Sequence, residues 1–236
     1  MPPPTDMPRP ADIATLLRGE VAQLSCWSAA WNPRRYALHI VVMVLGAGCY
    51  GAAMGWWRDP QQALYTAIKF PLILLLTAAG NALLNAMLAP LLGLNVPFRQ
   101  SFAAVLMSFT IAAAVLGGFS PLIAFLIWNA PDLGAIASAK AAYNIILPAH
   151  VAVIAFAGIT GNVRLLQLLR RLGGPAVARR VLLAWLAGNL FLGSQLSWIL
   201  RPFVGSPQLR VEFLRADALH GNFYETVFRT CAHIFR

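Results

Sequence analysis

The stretch "VVMVLGAGCYGAAMG", residues 41–55, carries Gly46, Gly48 and Gly51 as G-x-G-x-x-G directly after an apolar run. In a strand-to-helix turn, glycines at that spacing let backbone N–H groups approach a pyrophosphate, so the chemistry on offer is dinucleotide binding. That chemistry also needs an acid about 20 residues further on to hold a ribose hydroxyl. Residues 69–81, "KFPLILLLTAAGN", contain none, and after Asp59 the next carboxylate is Asp132. The residues on both sides of the glycines also form one unbroken apolar stretch, with no change from strand to helix character. The glycines therefore read as a packing surface. Ala47, Gly51 and Gly55 stand at i, i+4, i+8, with Gly48 and Ala52 on the neighbouring row, a groove in which another helix backbone approaches closely.

A second set of residues offers hydrogen bonding. Thr77, Asn81 and Asn85 repeat at i, i+4, i+8, and an unpaired amide in hydrocarbon costs several kcal/mol, so this face is expected to point at protein. In "AWLAGNLFLGSQLSW", Ala184, Gly188 and Gln195 share one side of a helix while Asn189, Gly193 and Ser197 fall roughly opposite, the pattern of a central helix with neighbours on both sides. Asn81, Asn85, Asn189 and Gln195 are expected to meet across the bundle, as interhelical hydrogen bonds or as a polar site for a headgroup or small solute. His150, just after Pro148, reads as the one ionisable side chain well inside an apolar segment and joins that candidate site.

Catalytic, cofactor and metal sites have no comparable support. No Ser-His-Asp, H-E-x-x-H, paired-carboxylate or P-loop pattern stands out, and Cys26, Cys49 and Cys231 are scattered, with no C-x-x-C. The expected site residues are therefore packing and polar ones, with catalytic residues, cofactor and metal all read as none. The lack of Asp or Glu inside any apolar segment argues against a proton- or sodium-coupled transporter.

The elements that must position these residues follow from composition. Of 236 residues, 59% are hydrophobic and 11% charged, where a soluble domain carries about a quarter charged. Lipid is the expected solvent over much of the surface. Five segments are long enough for a ~30 Å hydrocarbon core: residues 36–57, 72–92, 102–127, 143–159 and 181–200. The fold class read from them is all-α, a polytopic bundle of five transmembrane helices over 36–200. Residues 1–35 are expected to hold an interfacial amphipathic helix, from Ile13, Leu16, Leu17, Leu24, Trp27 and Trp31 at helical spacing. No cleavable signal is visible, so the first span would itself direct insertion. Asp59 and Pro60 read as the cap and first residue of a short interfacial element that carries Lys69, snorkelling, up to a kink at Pro71. The run Gly173-Gly174-Pro175 should stop the fourth helix.

The net charge of +10 comes from arginines beside apolar runs, so anionic headgroups explain it better than nucleic acid. Placing the N-terminus inside puts Arg9, Arg18, Arg34, Arg35, Arg99, Arg164, Arg170, Arg171, Arg179 and Arg180 in the cytoplasm and leaves Arg58, Lys69 and Lys140 in the outer loops. The 201–236 tail is then outside as a short structured cap, its Arg201, Arg210, Arg215, Arg229 and Arg236 offset in part by Glu212, Asp217 and Glu225.

"CYGAAMGWWRDPQQALYTAIKFPLILLLT" followed by "LLGLNVPFRQSFAAVL" resembles the early spans of bacterial Yip1-like five-span membrane proteins, over about residues 50–128. The Asp-Leu-Tyr-Gly-Pro motif of the eukaryotic members is absent, so no GTPase partner is implied. The resemblance implies a protein of the bacterial inner membrane that organises a membrane complex or binds partners, without catalytic residues. The expected partners are the lipid bilayer and other membrane proteins or a second copy, and not nucleic acid. A permease or channel subunit using the polar stripe and His150 is the alternative.

Overall fold

Asn32 opens the first helix. Its side-chain oxygen accepts from the backbone N–H of Arg34 at 3.0 Å and of Arg35 at 3.4 Å, and Pro33 supplies a first residue with no N–H to satisfy. This computed structural model describes residues 32–130, 136–205 and 210–234. Its elements are α1 (Pro33–Trp56), α2 (Pro60–Leu91), α3 (Phe98–Trp128), α4 (Ile136–Ile199) and the short α5 (Phe223–Ile234), with no strand among the described residues. The interfacial helix expected over 1–35 lies outside the described residues except for 32–35, as do Cys26 and Asp132.

Asp59 caps α2 by accepting from Gln61 N at 2.7 Å, with Pro60 first in the helix. The element expected to kink at Pro71 and lead into the second span is continuous with that span, because α2 runs on through Pro71 as one helix. A proline frees the carbonyl four residues earlier, here that of Ala67, and neighbouring helices in a membrane bundle make this tolerable. Gly48 of α1 sits over that carbonyl, so close that an added Cβ would lie 3.4 Å from it. Pro121 in α3 is handled locally, as the freed Gly117 carbonyl accepts from Ser120 Oγ at 2.7 Å. At the far end of α2, Gly93 (φ 90°) closes a Schellman turn in which Leu94 N donates to Ala89 O at 2.8 Å and Gly93 N to Pro90 O at 3.0 Å.

Four helices, α1 to α4, are long and apolar enough to cross a membrane. The fourth and fifth segments read from sequence both fall within α4, which spans 64 residues and is broken at one residue, Gly174 (φ 78°, ψ 170°). Only glycine occupies that region of backbone space readily. An unbroken helix of this length would extend about 96 Å, but the contacts on the two sides of Gly174 run in opposite directions. The first limb, 136–173, begins with Tyr143 beside Trp57, continues with His150 beside Tyr50, and reaches Ser108 at Gly161 and Leu94 at Gly173. The second limb, 175–199, then returns along α2. Asn189 meets Asn81, Gly193 meets Thr77, and the chain beyond it reaches Gln62 and Thr66. Leu165, Leu168 and Leu169 of one limb and Val181 and Trp185 of the other share one core cluster with Met43 and Leu94.

The outer faces carry large exposed apolar side chains along the bundle, among them Leu45, Leu83, Met87, Phe125, Ile159, Leu183 and Leu190. Apolar coverage of that extent suits a lipid solvent and would be an aggregation surface in water. One end of the bundle holds Arg34, Arg35, Arg99, Arg170, Arg171, Arg179 and Arg180. The opposite end holds Trp56, Trp57, Trp128 and Trp198, together with the described carboxylates Asp59, Glu212, Asp217 and Glu225 and the cations Arg58, Arg201, Arg210 and Arg215.

Candidate functional site

The small-residue face of α1 meets two different partners. A Cβ on Gly51 would lie 2.5 Å from Thr66 O and one on Gly55 2.5 Å from Gln62 O, both backbone atoms of α2, and Ala47 between the helices is fully buried. Gly46, the first glycine of the G-x-G-x-x-G, instead faces α3, where a Cβ would collide with the Ala113 carbonyl. The motif is thus divided between two helix contacts, with Gly48 and Gly51 turned to α2. Gly188 and Gly193 of α4 play a different part, facing side chains of α2. A Cβ on Gly188 would lie 2.7 Å from Asn81 Oδ1, and one on Gly193 3.7 Å from Thr77 Oγ1.

These contacts place a polar stripe of α2 in the bundle interior. Gln62, Thr66, Lys69, Thr77, Asn81 and Asn85 are all buried. The half nearer the arginines faces the second limb of α4. Asn81 Nδ2 donates to Asn189 Oδ1 at 2.5 Å and to Trp185 O at 3.4 Å. Asn85, one turn on, is completely buried with neither amide atom partnered, and Thr77 Oγ1, Asn81 Oδ1 and Trp185 Nε1 also lack partners.

Gln195 and His150 do not join this group. Gln195 Oε1 accepts from Phe223 N at 3.3 Å, because the second limb turns that side toward the tail. His150 lies on the first limb, where its Nδ1 is 2.9 Å from Tyr50 Oη and its ring stands edge-on to the tyrosine. Nor is His150 alone. His39 Nδ1 lies 3.0 Å from Thr110 Oγ1 between α1 and α3, and Lys69 is wholly buried.

Lys69 departs furthest from its sequence reading. Instead of snorkelling, it points into the protein, where its Nζ donates to Pro202 O at 3.1 Å and to Glu212 O at 3.5 Å. The Tyr65 and Phe213 rings flank it, with Nζ 6.0 Å and 5.1 Å from their centroids. Gln62 Nε2 donates to Pro202 O at 3.0 Å and Phe203 O at 2.8 Å, and Thr66 Oγ1 to Phe203 O at 2.9 Å. Together the three side chains hold the non-helical backbone that follows α4. Buried backbone outside regular helix still needs partners for its carbonyls, and this clamp supplies the donors. Its signal was available in the sequence, since positions 62, 66 and 69 continue the register of the Thr77–Asn85 stripe toward the start of α2.

Chemically, the arrangement consists of neutral hydrogen-bonding groups and one caged cation. Among the described residues no group of three or more His, Cys, Asp or Glu side chains is placed to hold a metal ion. Cys49 is a free thiol exposed on the outer face of α1. No family model, no curated protein and no solved structure matches this chain.

Proposed function

We propose that this chain is a non-catalytic integral membrane protein that crosses the bilayer five times, twice through α4, and organises a membrane assembly or contacts lipid through its helix faces. The observation that carries this reading is how the interior polar groups are used. Gln62, Thr66 and Lys69 hold the tail, Asn81 holds Asn189, and Tyr50 pairs with His150, so each ties one element of the chain to another. Such contacts are worth ~0.6 to 2 kcal/mol each between membrane helices and build a scaffold. The arginine-rich end faces the cytoplasm of a bacterial inner membrane, following the positive-inside rule, and the tail lies outside. Kinship of residues 50–128 with bacterial Yip1-like proteins belongs to the same proposal. Purified protein reconstituted in liposomes is expected to move no small polar solute above protein-free vesicles, while a stoichiometric partner or a second copy accompanies it from native membranes. Robust solute movement by the protein alone would overturn the scaffold reading.

The second reading, a permease or channel subunit, draws on Asn85. Two unpaired amide atoms, with Thr77 Oγ1 and Trp185 Nε1 also unpaired, form a polar seam between α2 and the second limb of α4 that a neutral solute would satisfy. Replacing both Asn81 and Asn85 by Leu abolishes transport under this reading, whereas under the first there is no transport to lose and recovery of the partner or second copy is unchanged.

A further inference from the structure

Among the described residues, the hydrogen bonds that tie α5 to the bundle lie in its first turn. Asn222 caps it by accepting from Glu225 N at 2.8 Å, and Gln195 Oε1 takes the Phe223 N–H. Tyr224 lies on the outer wall of α4, where its ring stacks on Phe191 (centroids 5.6 Å apart, 13° between planes) and its hydroxyl donates to Phe191 O at 3.0 Å and Leu190 O at 3.2 Å. Beyond that contact Phe228 is 74% exposed and Val227 44% exposed. Within α5, Phe223, Tyr224, Val227 and Phe228 stand along one arc of the helix, with Glu225 and Thr226 on the other.

Two observations identify what covers that apolar arc. First, it continues the exposed apolar wall formed by Leu190 and Phe191, a wall that under the membrane reading already faces acyl chains. Second, α5 starts at the level of Gln195, about one turn below Trp198, whose ring carries the Arg201 guanidinium 3.7 Å from its centroid. An aromatic ring paired with a cation marks the headgroup level, and an amphipathic helix seats its apolar face roughly 5–10 Å below that level.

We propose that α5 is an interfacial anchor, lying in the leaflet at the tryptophan-rich end with Tyr224, Val227 and Phe228 among the acyl chains and the Thr226 side toward the headgroups. The partner is the bilayer itself, and the inference rests on the membrane reading above. The test attaches a nitroxide at Phe228→Cys, Thr226→Cys or Leu190→Cys, with Cys26, Cys49 and Cys231 replaced by Ser, in vesicles of phosphatidylcholine and phosphatidylglycerol. Collision with oxygen and with a water-soluble nickel chelate is then compared. Positions 228 and 190 are expected to be oxygen-rich and nickel-poor, and position 226 the reverse. If 228 meets nickel as freely as 226 while 190 stays oxygen-rich, α5 lies in water and the anchor falls, leaving the membrane reading intact. A label at 228 that neither reagent reaches would mean a protein partner covers the arc, and would also overturn the proposal. Nickel access at 190 would remove the membrane reading and the anchor together.

Discussion

Gly51→Ala places a methyl group where α1 and α2 touch backbone to backbone. The new Cβ would lie 2.5 Å from Thr66 O and 2.9 Å from Thr66 C, with the Phe70 Cβ at 3.1 Å. The first distance is nearly an ångström short of ordinary van der Waals contact. A carbonyl inside a helix has no rotamer by which to withdraw, so the two helices must separate and loosen the contacts of Ala47, Gly48 and Gly55 along the same face. Overpacking of this kind costs about 1–3 kcal/mol, and a backbone obstacle puts Gly51 at the upper end. Gly118→Ala is the control, because a Cβ there meets nothing within 4 Å. Both glycines are inside helices, so the roughly 1 kcal/mol by which Ala favours a helix over Gly cancels in the comparison. The difference between the variants then isolates the steric cost. Equilibrium unfolding by SDS from dodecylmaltoside micelles, followed by tryptophan fluorescence, reads it directly. A difference below about 0.5 kcal/mol, the ordinary scatter of surface substitutions, would refute the close approach of α1 and α2.

Three further outcomes follow from the interior. Lys69→Met removes the donor to Pro202 O and Glu212 O at a cost of about 1–3 kcal/mol, and amide exchange over 201–205 and 210–217 should quicken; unchanged exchange would mean the tail is held by something else. Asn81→Ala and Asn189→Ala should couple by about 0.6–2 kcal/mol in a double-mutant cycle of unfolding free energies, whereas strictly additive effects would deny their hydrogen bond. Gly174→Ala meets no atom within 4 Å, so its cost of about 1–3 kcal/mol is purely backbone strain. Gly158→Ala, which is equally open but in ordinary helical conformation, should show none of it on thermal unfolding.

The sequence made some of these features readable because they depend on local physics. The Asp59–Pro60 cap needs only its own turn, and the apolar runs need only length. The spacing of Ala47, Gly51 and Gly55 is likewise visible, but the division of the motif, with Gly46 toward α3 and Gly51 toward α2, depends on where two other helices lie. Local rules place a kink at Pro71; that α2 nevertheless runs on as one helix depends on its neighbours, among them α1, whose Gly48 lies over the Ala67 carbonyl that the proline frees. Lys69 next to an apolar run suggests snorkelling unless the carbonyls of Pro202 and Glu212, more than 130 residues away, are known to cover it. Asn81 and Asn189 carry matching amides that a bundle brings together, but nothing local sends Gln195 to the tail or His150 to Tyr50.

The reversal of α4 at Gly174 underlies the membrane architecture, and the sidedness of two exposed alanines tests it most directly. With Cys26, Cys49 and Cys231 replaced by Ser, Ala176→Cys beside the turn and Ala216→Cys in the tail are treated with a membrane-impermeant maleimide in intact cells and again after permeabilisation. The architecture predicts that Cys at 216 is labelled in intact cells and Cys at 176 only once the membrane is opened. Labelling of both from the same side would mean that the second limb of α4 does not cross the bilayer, and would contradict the account.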